Sequence, residues 1–512
     1  MLAADMEVDY VHALRQLSAE YSDTCLQKWS LFAGTGMSAR MMDDLTTFWE
    51  VRYNVKLVTS TYLFAESDPK KLQFLKCQHP TAELFCSNVS NLKTTVMKEA
   101  GDPSGTLLRQ PGFIDMGIPC VSRSTLSAHC AKNLNCVQEE REATGVAFRE
   151  AKRVCFHHNP PVVVAECVLG LRASAHRADG KPMLSDAEWV CEEFRKKGWW
   201  AFHAAMSASD YGAWCRRERC WWAFLSDVEG DPRVIQAWST KLLHQFKTKD
   251  KPGTMFTAHD FLVFDSSERK QRACDLGMPL LKDFGQKVSR VKQEERGWEM
   301  DHLTWFGSNS LKWPWSKLTH QSRSHIEYDP FLLRECEAVF FLDTLFPPQS
   351  DIELLDINPQ LQWLVGDYAD ESNKVDLSKG TPWHAQCYTQ VASGKLVLRQ
   401  KLEGRDLDMY APKTWLVRIV EPFEAMNILG WCDIKHWLPP STDHVWTAQA
   451  LEVLFNLAGN ACSMFHFVPW VCAALATWGK FRKRHSHIER PLAFADDSHE
   501  GGCDSFSDPD TE

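Results

Sequence analysis

The sequence predicts a doubly wound α/β domain, in which helices cover both faces of a largely parallel sheet. Short apolar runs alternate with helix-like stretches along the first half of the chain, the pattern of a parallel α/β sheet. The first of these runs, Ser30–Gly34, leads directly into a glycine turn. A hydrophobic content of 44% and a charged content of 24% over 512 residues provide for a sizeable core.

The apolar runs are spaced so that a helix fits between most of them. The predicted strands are Ser30–Gly34, Thr59–Phe64, Glu83–Cys86, Gly112–Asp115, Pro161–Ala165, Trp199–His203 and Cys220–Leu225. Helices are predicted over Cys136–His157 and Glu188–Lys197, and a turn over Ser209–Gly212. The α/β pattern returns late in the chain, with a strand at Trp415–Arg418 and a helix from Pro422 to Leu429.

The character of the chain changes after residue 235. Between Lys241 and Arg296 there are twelve Lys or Arg residues against eight Asp or Glu, and aromatic and basic residues then alternate over 305–323. We therefore predict a separate domain inserted into the α/β domain, followed at the end of the chain by a disordered acidic tail. The predicted parts are 1–235 (first part of the α/β domain), 236–410 (inserted domain), 411–485 (second part of the α/β domain) and 486–512 (tail).

Composition excludes several classes of protein. The net charge of −10 argues against a wholly basic nucleic-acid binder, although seven of the acidic residues lie within 491–512. None of the 18 cysteines forms a Cys-x-x-Cys pair, so no metal site is expected. The first residues include Asp5, Glu7 and Asp9 and no apolar segment, so we expect no secretory signal and an intracellular, reducing compartment.

One long uncharged run, 453–479, has the length of a membrane span. It contains Asn456, Gly459 and Pro469 among several residues that disfavour a spanning helix. We predict a buried loop and helix here, and no membrane partner. The basic cluster Lys480–His485 that follows indicates a nuclear location.

Two chemically important side chains come directly after predicted strands. Cys120, in Pro119-Cys120, follows the strand ending at Asp115, and Glu166 follows the strand Pro161–Ala165. Open α/β sheets place their sites at the carboxyl ends of parallel strands, so the thiol and the carboxyl group are expected to meet there. With the guanidinium groups of Arg217-Glu218-Arg219, they would suit nucleophilic attack on a polarised ring.

The order of these segments resembles that of the DNA (cytosine-5) methyltransferases. The matching segments are Phe32-Ala33-Gly34-Thr35-Gly36, Glu66, Pro119-Cys120, Glu166, Asp210-Tyr211-Gly212 with Arg217 and Arg219, Glu424 with Gly430-Trp431, and Gly459-Asn460-Ala461. The resemblance covers nearly all of 28–235 and 411–465. It implies a Rossmann-like S-adenosylmethionine-dependent methyltransferase domain, with 236–410 as the target-recognition domain.

The resemblance implies that S-adenosyl-L-methionine binds at the glycine turn. Gly34 and Gly36 would let the backbone approach the cofactor, Phe32 would lie against the adenine, and the Glu66 carboxylate would accept both ribose hydroxyls. Asn88 stands where the family has an Asp that accepts the adenine amino group, and an amide oxygen can accept the same bond. The remaining implied cofactor residues are Pro119, Asn460 and Ala461.

The resemblance also implies the catalytic roles. Carbon 5 of cytosine is too electron-poor to attack a methyl donor until a thiolate has added to carbon 6, and Cys120 would be that thiolate. Glu166 would hydrogen-bond nitrogen 3 of the ring, Arg219 would reach the base and the acid, and Arg217 would support them. The cytosine must first leave the stack of the DNA, so the partner is DNA with a flipped target base.

Several residues depart from the family pattern, and two alternative functions stay open. Val121, Arg123, Cys167 and Trp214-Cys215 replace residues that the family usually carries beside its catalytic groups. The first alternative is methylation of cytosine in transfer RNA, although the long middle domain favours DNA. The second is a catalytically impaired homologue that binds nucleic acid. The target sequence and the oligomeric state are not indicated by the sequence.

Overall fold

The computed structural model describes most of the α/β domain and short parts of the inserted segment. The described residues are 4–22, 24–97, 105–120, 133–174, 183–215, 217–248, 352–357, 381–382, 395–401, 415–419, 422–430 and 461–483. The aromatic and basic residues of 305–323 and the acidic tail 486–512 lie outside them.

Helices and strands alternate as the sequence predicts. The helices are α1 (Ala4–Glu20), α2 (Met37–Tyr53), α3 (Pro69–Gln78), α4 (Glu142–His158), α5 (Asp186–Lys196), α6 (Pro232–Phe246), α7 (Pro422–Ile428) and α8 (Met464–Phe481). The strands are β1 (Leu26–Leu31), β2 (Thr59–Ala65), β3 (Leu84–Cys86), β4 (Val96–Met97), β5 (Thr106–Leu107), β6 (Phe113–Gly117), β7 (Val162–Val168), β8 (Trp200–Ser207), β9 (Glu218–Leu225), β10 (Ile352–Ile357), β11 (Thr381–Pro382), β12 (Lys395–Lys401) and β13 (Trp415–Ile419).

Seven strands form the central sheet, in the order β3-β2-β1-β6-β7-β9-β8. Strands β3, β2, β1, β6 and β7 pair in parallel, and the chain changes direction across the sheet between β1 and β6. This is the switch point at which open α/β sheets bind ligands. The predicted Rossmann-like, doubly wound α/β fold is confirmed in the part of the chain that forms this sheet.

One strand differs from the parallel arrangement that the sequence predicts. Strand β9 runs antiparallel to both of its neighbours, β7 and β8. The connection from Ser207 to Glu218 is short and contains the 3-10 turn Ala208–Tyr211. A parallel crossover needs a dozen residues or more and usually a helix, so this connection can only return the chain antiparallel.

The two faces of the sheet carry separate apolar clusters. Val162 and Val164 of β7 point to the face covered by α1, α2, α6 and α8, while Val163 and Ala165 point to the face covered by α4 and α5. Because successive strand residues alternate between faces that are both buried, the strand is a continuous apolar run. This explains why Pro161–Ala165 is recognisable in the sequence.

Helix starts follow the local sequence. Ser185 Oγ caps α5 by accepting a hydrogen bond from the N–H of Glu188. The Glu188 carboxylate in turn accepts one from the N–H of Ser185, which completes a capping box. Asp68 and Asp231 cap α3 and α6 by accepting backbone N–H groups of the first turn, without a reciprocal bond, and each is followed by a proline.

Helix α8 forms from the uncharged run and is largely buried, as predicted for its helical part, while the predicted loop over 453–460 lies outside the described residues. Trp470 Nε1 donates to the carbonyl of Trp222 at 2.8 Å, and Trp478 Nε1 donates to that of Ser226 at 3.0 Å. These bonds fasten the helix to strand β9 and its end. Among the helices that the structure describes, none is long and apolar enough to cross a bilayer.

The basic cluster after α8 is partly engaged by the first helix. Lys480 Nζ lies 2.7 Å from the Asp9 carboxylate, and Arg482 pairs with Glu20. Two of the charges on which the nuclear prediction depends are therefore held by α1, and nuclear location stays a prediction.

A second, antiparallel sheet has the order β11-β10-β12-β13. Its first three strands lie within 236–410, but β13 lies beyond residue 410 and pairs with β12. The domain division at residue 410 stays a prediction, with these two strands hydrogen-bonded across it.

The contact between α1 and α8 gives a stability prediction. A Cβ added at Gly479 would lie 2.4 Å from the backbone oxygen of Ala13, so Gly479→Ala must push the two helices apart. We expect a loss of about 1–3 kcal/mol in the free energy of unfolding, despite the better helix propensity of alanine. Chemical denaturation measures it.

Asp9→Ala is the matched control at the same contact. It removes the exposed Asp9–Lys480 pair and should cost less than about 1 kcal/mol. A Gly479→Ala protein as stable as wild type would contradict the close approach of the two helices.

Candidate active site at the carboxyl edge of the sheet

A cavity of about 330 Å³ opens at the carboxyl ends of the central strands. Its wall is built from the residues that follow β1 and β2, from the carboxyl ends of β6 and β7 with the residues that follow β6, and from the starts of β9 and α8. Lining residues proposed from the sequence are Phe32, Gly34, Glu66, Pro119, Cys120, Glu166, Arg217, Arg219 and Ala461. The sheet therefore gathers at one edge most of the residues that the motif order singled out.

The turn after β1 has a backbone that suits glycine. Phe32, Gly34 and Gly36 all have positive φ angles, of 53°, 56° and 69°. A Cβ on Gly36 would lie 2.4 Å from Leu75 Cδ2 and 2.7 Å from His79 Nε2, which leaves no room for a side chain. The turn thus brings backbone close to the cavity at the first strand–helix junction.

Glu66 is fixed before any ligand binds. Its Oε2 accepts the N–H of Gly34 at 2.9 Å and its Oε1 accepts the N–H of Asp68 at 3.0 Å. The residue is only 8% exposed, and it lines the cavity. A carboxylate has about four acceptor sites, so both oxygens can accept a further bond from a pair of hydroxyls.

The register between β6 and β7 brings the thiol and the carboxyl group together. Gly117 pairs with Glu166, and the N–H of Ile118 donates to the Glu166 carbonyl at 2.9 Å. Cys120 follows two residues later and lines the same cavity as Glu166. The meeting at one sheet edge that the sequence predicts is thus present in the structure.

The two arginines take different positions. Arg219, opposite Val168 in the β7–β9 ladder, places its Nε 2.8 Å from Glu166 Oε1. Arg217 is 2% exposed, and its Nη2 donates to the carbonyl of Ala461 at 2.7 Å. Burial, with the nearby charge of Arg219 as a second cause, lowers the pKa of Arg217 to about 10.

Burial and the neighbouring charges shift the pKa of Cys120 in opposite directions. Burial raises the pKa of the Cys120 thiol above its ordinary value, and the charge of Glu166 raises it further. The cations of Arg219 and Arg217 lower it, but less than burial raises it. Without a ligand the thiol is therefore mainly protonated at neutral pH.

Three of the implied cofactor residues are not among the cavity's lining residues. Asn88 is exposed, and its side-chain oxygen accepts the N–H of Ser90 at 2.9 Å, which caps a 3-10 turn. Gly36 supports the glycine turn from behind, against Leu75. Asn460 lies outside the described residues, so its implied role stays a prediction.

The structure adds cavity residues that the motif order did not single out. They include Ser38, Asp115, Cys167, Trp221, Cys462 and Phe467. Asp115 and its partner Lys28 leave a trace in the sequence, because each is the one charged residue of a buried strand. A charge in a doubly buried strand is costly unless it is paired, and it deserves notice for that reason.

In the part of the chain that the structure describes, no group of three or more His, Cys, Asp or Glu side chains is arranged to hold a metal ion.

Comparisons with known proteins find likeness in structure alone. No family model and no curated protein matches the sequence. The S. pombe Dnmt2 methyltransferase structure is 11% identical, with a TM-score of 0.45 over 88% of this chain and 98% of that one. The Entamoeba histolytica methyltransferase EhMeth is also 11% identical, with a TM-score of 0.41 over 89% and 98% of the two chains. Likeness at this level does not establish a function, so the function is argued from the geometry of the site.

The charges around Cys120 predict opposite effects of two substitutions. Arg219→Gln removes a cation that lowers the pKa of the thiol, so the pH midpoint of alkylation should rise. Glu166→Gln removes an anion that raises it, so the midpoint should fall. Iodoacetamide labelling between about pH 7 and 10, resolved by peptide mass spectrometry, measures both.

The exposed Cys77 provides the internal control for the reagent in every sample. Midpoints that shift in the same direction in both variants would contradict the electrostatic account.

Proposed function

We propose that this protein transfers a methyl group from S-adenosyl-L-methionine to carbon 5 of cytosine in DNA. The observation that carries the proposal is the shared cavity. Glu66 and the glycine turn lie at one part of its wall, and Cys120, Glu166 and Arg219 lie at another. A cofactor and a base bound in one cavity can be brought into contact, which methyl transfer requires.

The residues present fit the cofactor. The Glu66 carboxylate is held by two backbone N–H groups with acceptor sites remaining, as recognition of a ribose diol needs. Gly34 lines the cavity with a φ of 56° and carries no Cβ, so the turn can approach an adenosyl group closely. S-adenosylmethionine, when bound, supplies an electrophilic methyl group for carbon 5.

The residues at the other part of the wall can activate the base. The Cys120 thiol loses its proton to solvent and the thiolate adds to carbon 6. The electrons of the carbon 5–carbon 6 double bond then collect on carbon 5 as an enamine, while Glu166 protonates nitrogen 3. Arg219 keeps Glu166 in position through its 2.8 Å contact. After methylation, the carbon 5 proton passes to a solvent water, the Cys120 sulfur leaves carbon 6 as a thiolate, and nitrogen 3 returns its proton to Glu166, which restores the aromatic ring.

The cavity must receive a base that has left its stack. Glu166 is buried and Cys120 is half-buried within the cavity, so a cytosine inside a duplex cannot reach them without flipping out. The segment 236–410, with its excess of Lys and Arg over 241–296, supports a polynucleotide partner and is long enough for target recognition. This length is the support for DNA over RNA.

A transfer assay tests the activity. Tritiated S-adenosylmethionine with duplex DNA should label 5-methylcytosine, and a transfer RNA transcript run in parallel should stay unlabelled. Cys120→Ser should reduce the label to background, and Glu166→Gln should lower the rate about 10²–10⁴-fold. If only the RNA is labelled, the substrate is transfer RNA and the proposal of DNA is wrong.

Covalent trapping tests the nucleophile separately. Duplex DNA with 5-fluorocytosine at its target sites, incubated with S-adenosylmethionine, should form a denaturant-resistant adduct, because the fluorine blocks release of the Cys120 sulfur. Cys120→Ser should form none, while Cys77→Ser, a change at an exposed cysteine, should form it as wild type does. DNA binding without an adduct would indicate a homologue that binds but does not catalyse.

A further inference from the structure

Four polar side chains form a buried cluster beneath the glycine turn, here called the Lys28–Asp115 cluster. Lys28 Nζ lies 3.2 Å from Asp115 Oδ1 and donates to Ser38 Oγ at 3.0 Å. Ser30 Oγ donates to Asp115 Oδ2 at 2.9 Å. The side chains of Lys28 and Asp115 are 2% and 9% exposed, so the pair is almost fully removed from bulk water.

The sheet determines the position of this cluster. Ser30 pairs with Asp115 in the β1–β6 ladder, so both side chains point to the face that α2 and α8 cover. Ser38 comes from the first turn of α2, and the Phe467 ring of α8 lies 5.9 Å from Lys28 Nζ. The cluster therefore sits at the switch point of the sheet, under the turn that carries Gly34.

Stability does not explain this pair. Removing two charges from water costs about as much as their attraction returns, so a buried ion pair is often no more stabilising than apolar residues of similar size. The rest of β6 is apolar apart from Gly117, and an apolar pair would suit its surroundings. A ligand that needs a carboxylate at this position is a better explanation.

One member of the pair faces the cavity. Asp115 and Ser38 line it, as does Glu66, whereas Lys28 is not among the lining residues. Asp115 uses one acceptor site for Lys28 and one for Ser30, and a carboxylate has about two more. Its charge is thus available to a cation in the cavity, while Lys28 and Ser30 hold it in place.

The spacing relates Asp115 to the ribose position. Glu66 follows β2 and Asp115 lies on β6, with β1 between them. Two strand spacings amount to about 10 Å, which a chain of a few single bonds spans. In S-adenosylmethionine such a chain joins the ribose to an amino acid end that carries an α-ammonium group.

We propose that Asp115 is the binding residue for the α-ammonium group of the cofactor, with Lys28 and Ser30 as its positioning residues. This inference rests on the proposed function, because it names how the same site holds the methionine half of the cofactor. The site distinguishes a nucleoside that carries an ammonium group from one that lacks it.

Binding measurements test the inference without any methyl transfer. Isothermal titration calorimetry compares S-adenosylhomocysteine with its deaminated analogue, which keeps the carboxylate, and with 5′-methylthioadenosine, which lacks the amino acid end. Wild type should prefer S-adenosylhomocysteine over the deaminated analogue by about 10- to 100-fold. Asp115→Asn should abolish this preference and leave 5′-methylthioadenosine binding within about twofold.

Two further variants separate the loss of ammonium binding from a loss of folding. Lys28→Gln combined with Asp115→Asn leaves no unpaired buried charge and should also lose the preference. Asp43→Asn is the matched control, because Asp43 acts on Lys28 through its charge but does not line the cavity, and it should keep the preference.

The outcomes separate the two proposals. Suppose that wild type prefers S-adenosylhomocysteine. If Asp115→Asn keeps that preference, or weakens the binding of all three ligands equally, the proposed role of Asp115 is refuted but the proposed cofactor site is not. The role of Asp115 is also refuted if wild type binds S-adenosylhomocysteine no more tightly than its deaminated analogue. If wild type binds none of the three nucleosides, the cofactor site fails, and the inference fails with it.

Discussion

The parallel pairing of β6 with β7 is the constraint on which the site depends. It fixes Gly117 opposite Glu166, so the loop carrying Cys120 leaves the sheet beside the carboxyl group. Both faces of β7 are buried, with Val164 on one side and Val163 on the other. A slip of one residue would move every side chain to the opposite face, and Glu166 would leave the cavity. The apolar packing of the strand therefore also secures the geometry of the chemistry.

The far end of the chain completes the cavity. Arg217 on the approach to β9 donates to the carbonyl of Ala461, 244 residues later in the sequence. Helix α8 then continues over the sheet, held by Trp470 and Trp478, and packs against α1 at Gly479. Residues from both sides of the inserted segment thus form one wall, which makes the buried arginine a structural link as well as a source of charge.

The sequence was informative wherever a pattern depends on local chemistry. Apolar runs predicted the strands, and the ends of two runs predicted that Cys120 and Glu166 share an edge, as they do. The direction of β9 could not be predicted from periodicity, because alternation is the same in parallel and antiparallel strands. The use of the Asn88 side chain as a turn cap was also invisible, since a capping residue and a ligand-binding residue can have the same identity. The partnership of Lys28 with Asp115 joins positions 87 residues apart, and only the β1–β6 pairing brings them together.

Protonation of Glu166 and ionisation of Cys120 are linked through their charges. The negative charge of Glu166 raises the pKa of Cys120, and the cations of Arg219 and Arg217 lower it. In the proposed reaction, a Glu166 that carries the proton for nitrogen 3 would be neutral, so the charge that raises the pKa of Cys120 would be gone while the arginines still lower it. The proton that activates the ring would then also favour the Cys120 thiolate. Without a ligand, burial keeps the pKa of the Cys120 thiol above its ordinary value and the thiol protonated, and in the proposed reaction the thiolate would form once the base and its proton are in place.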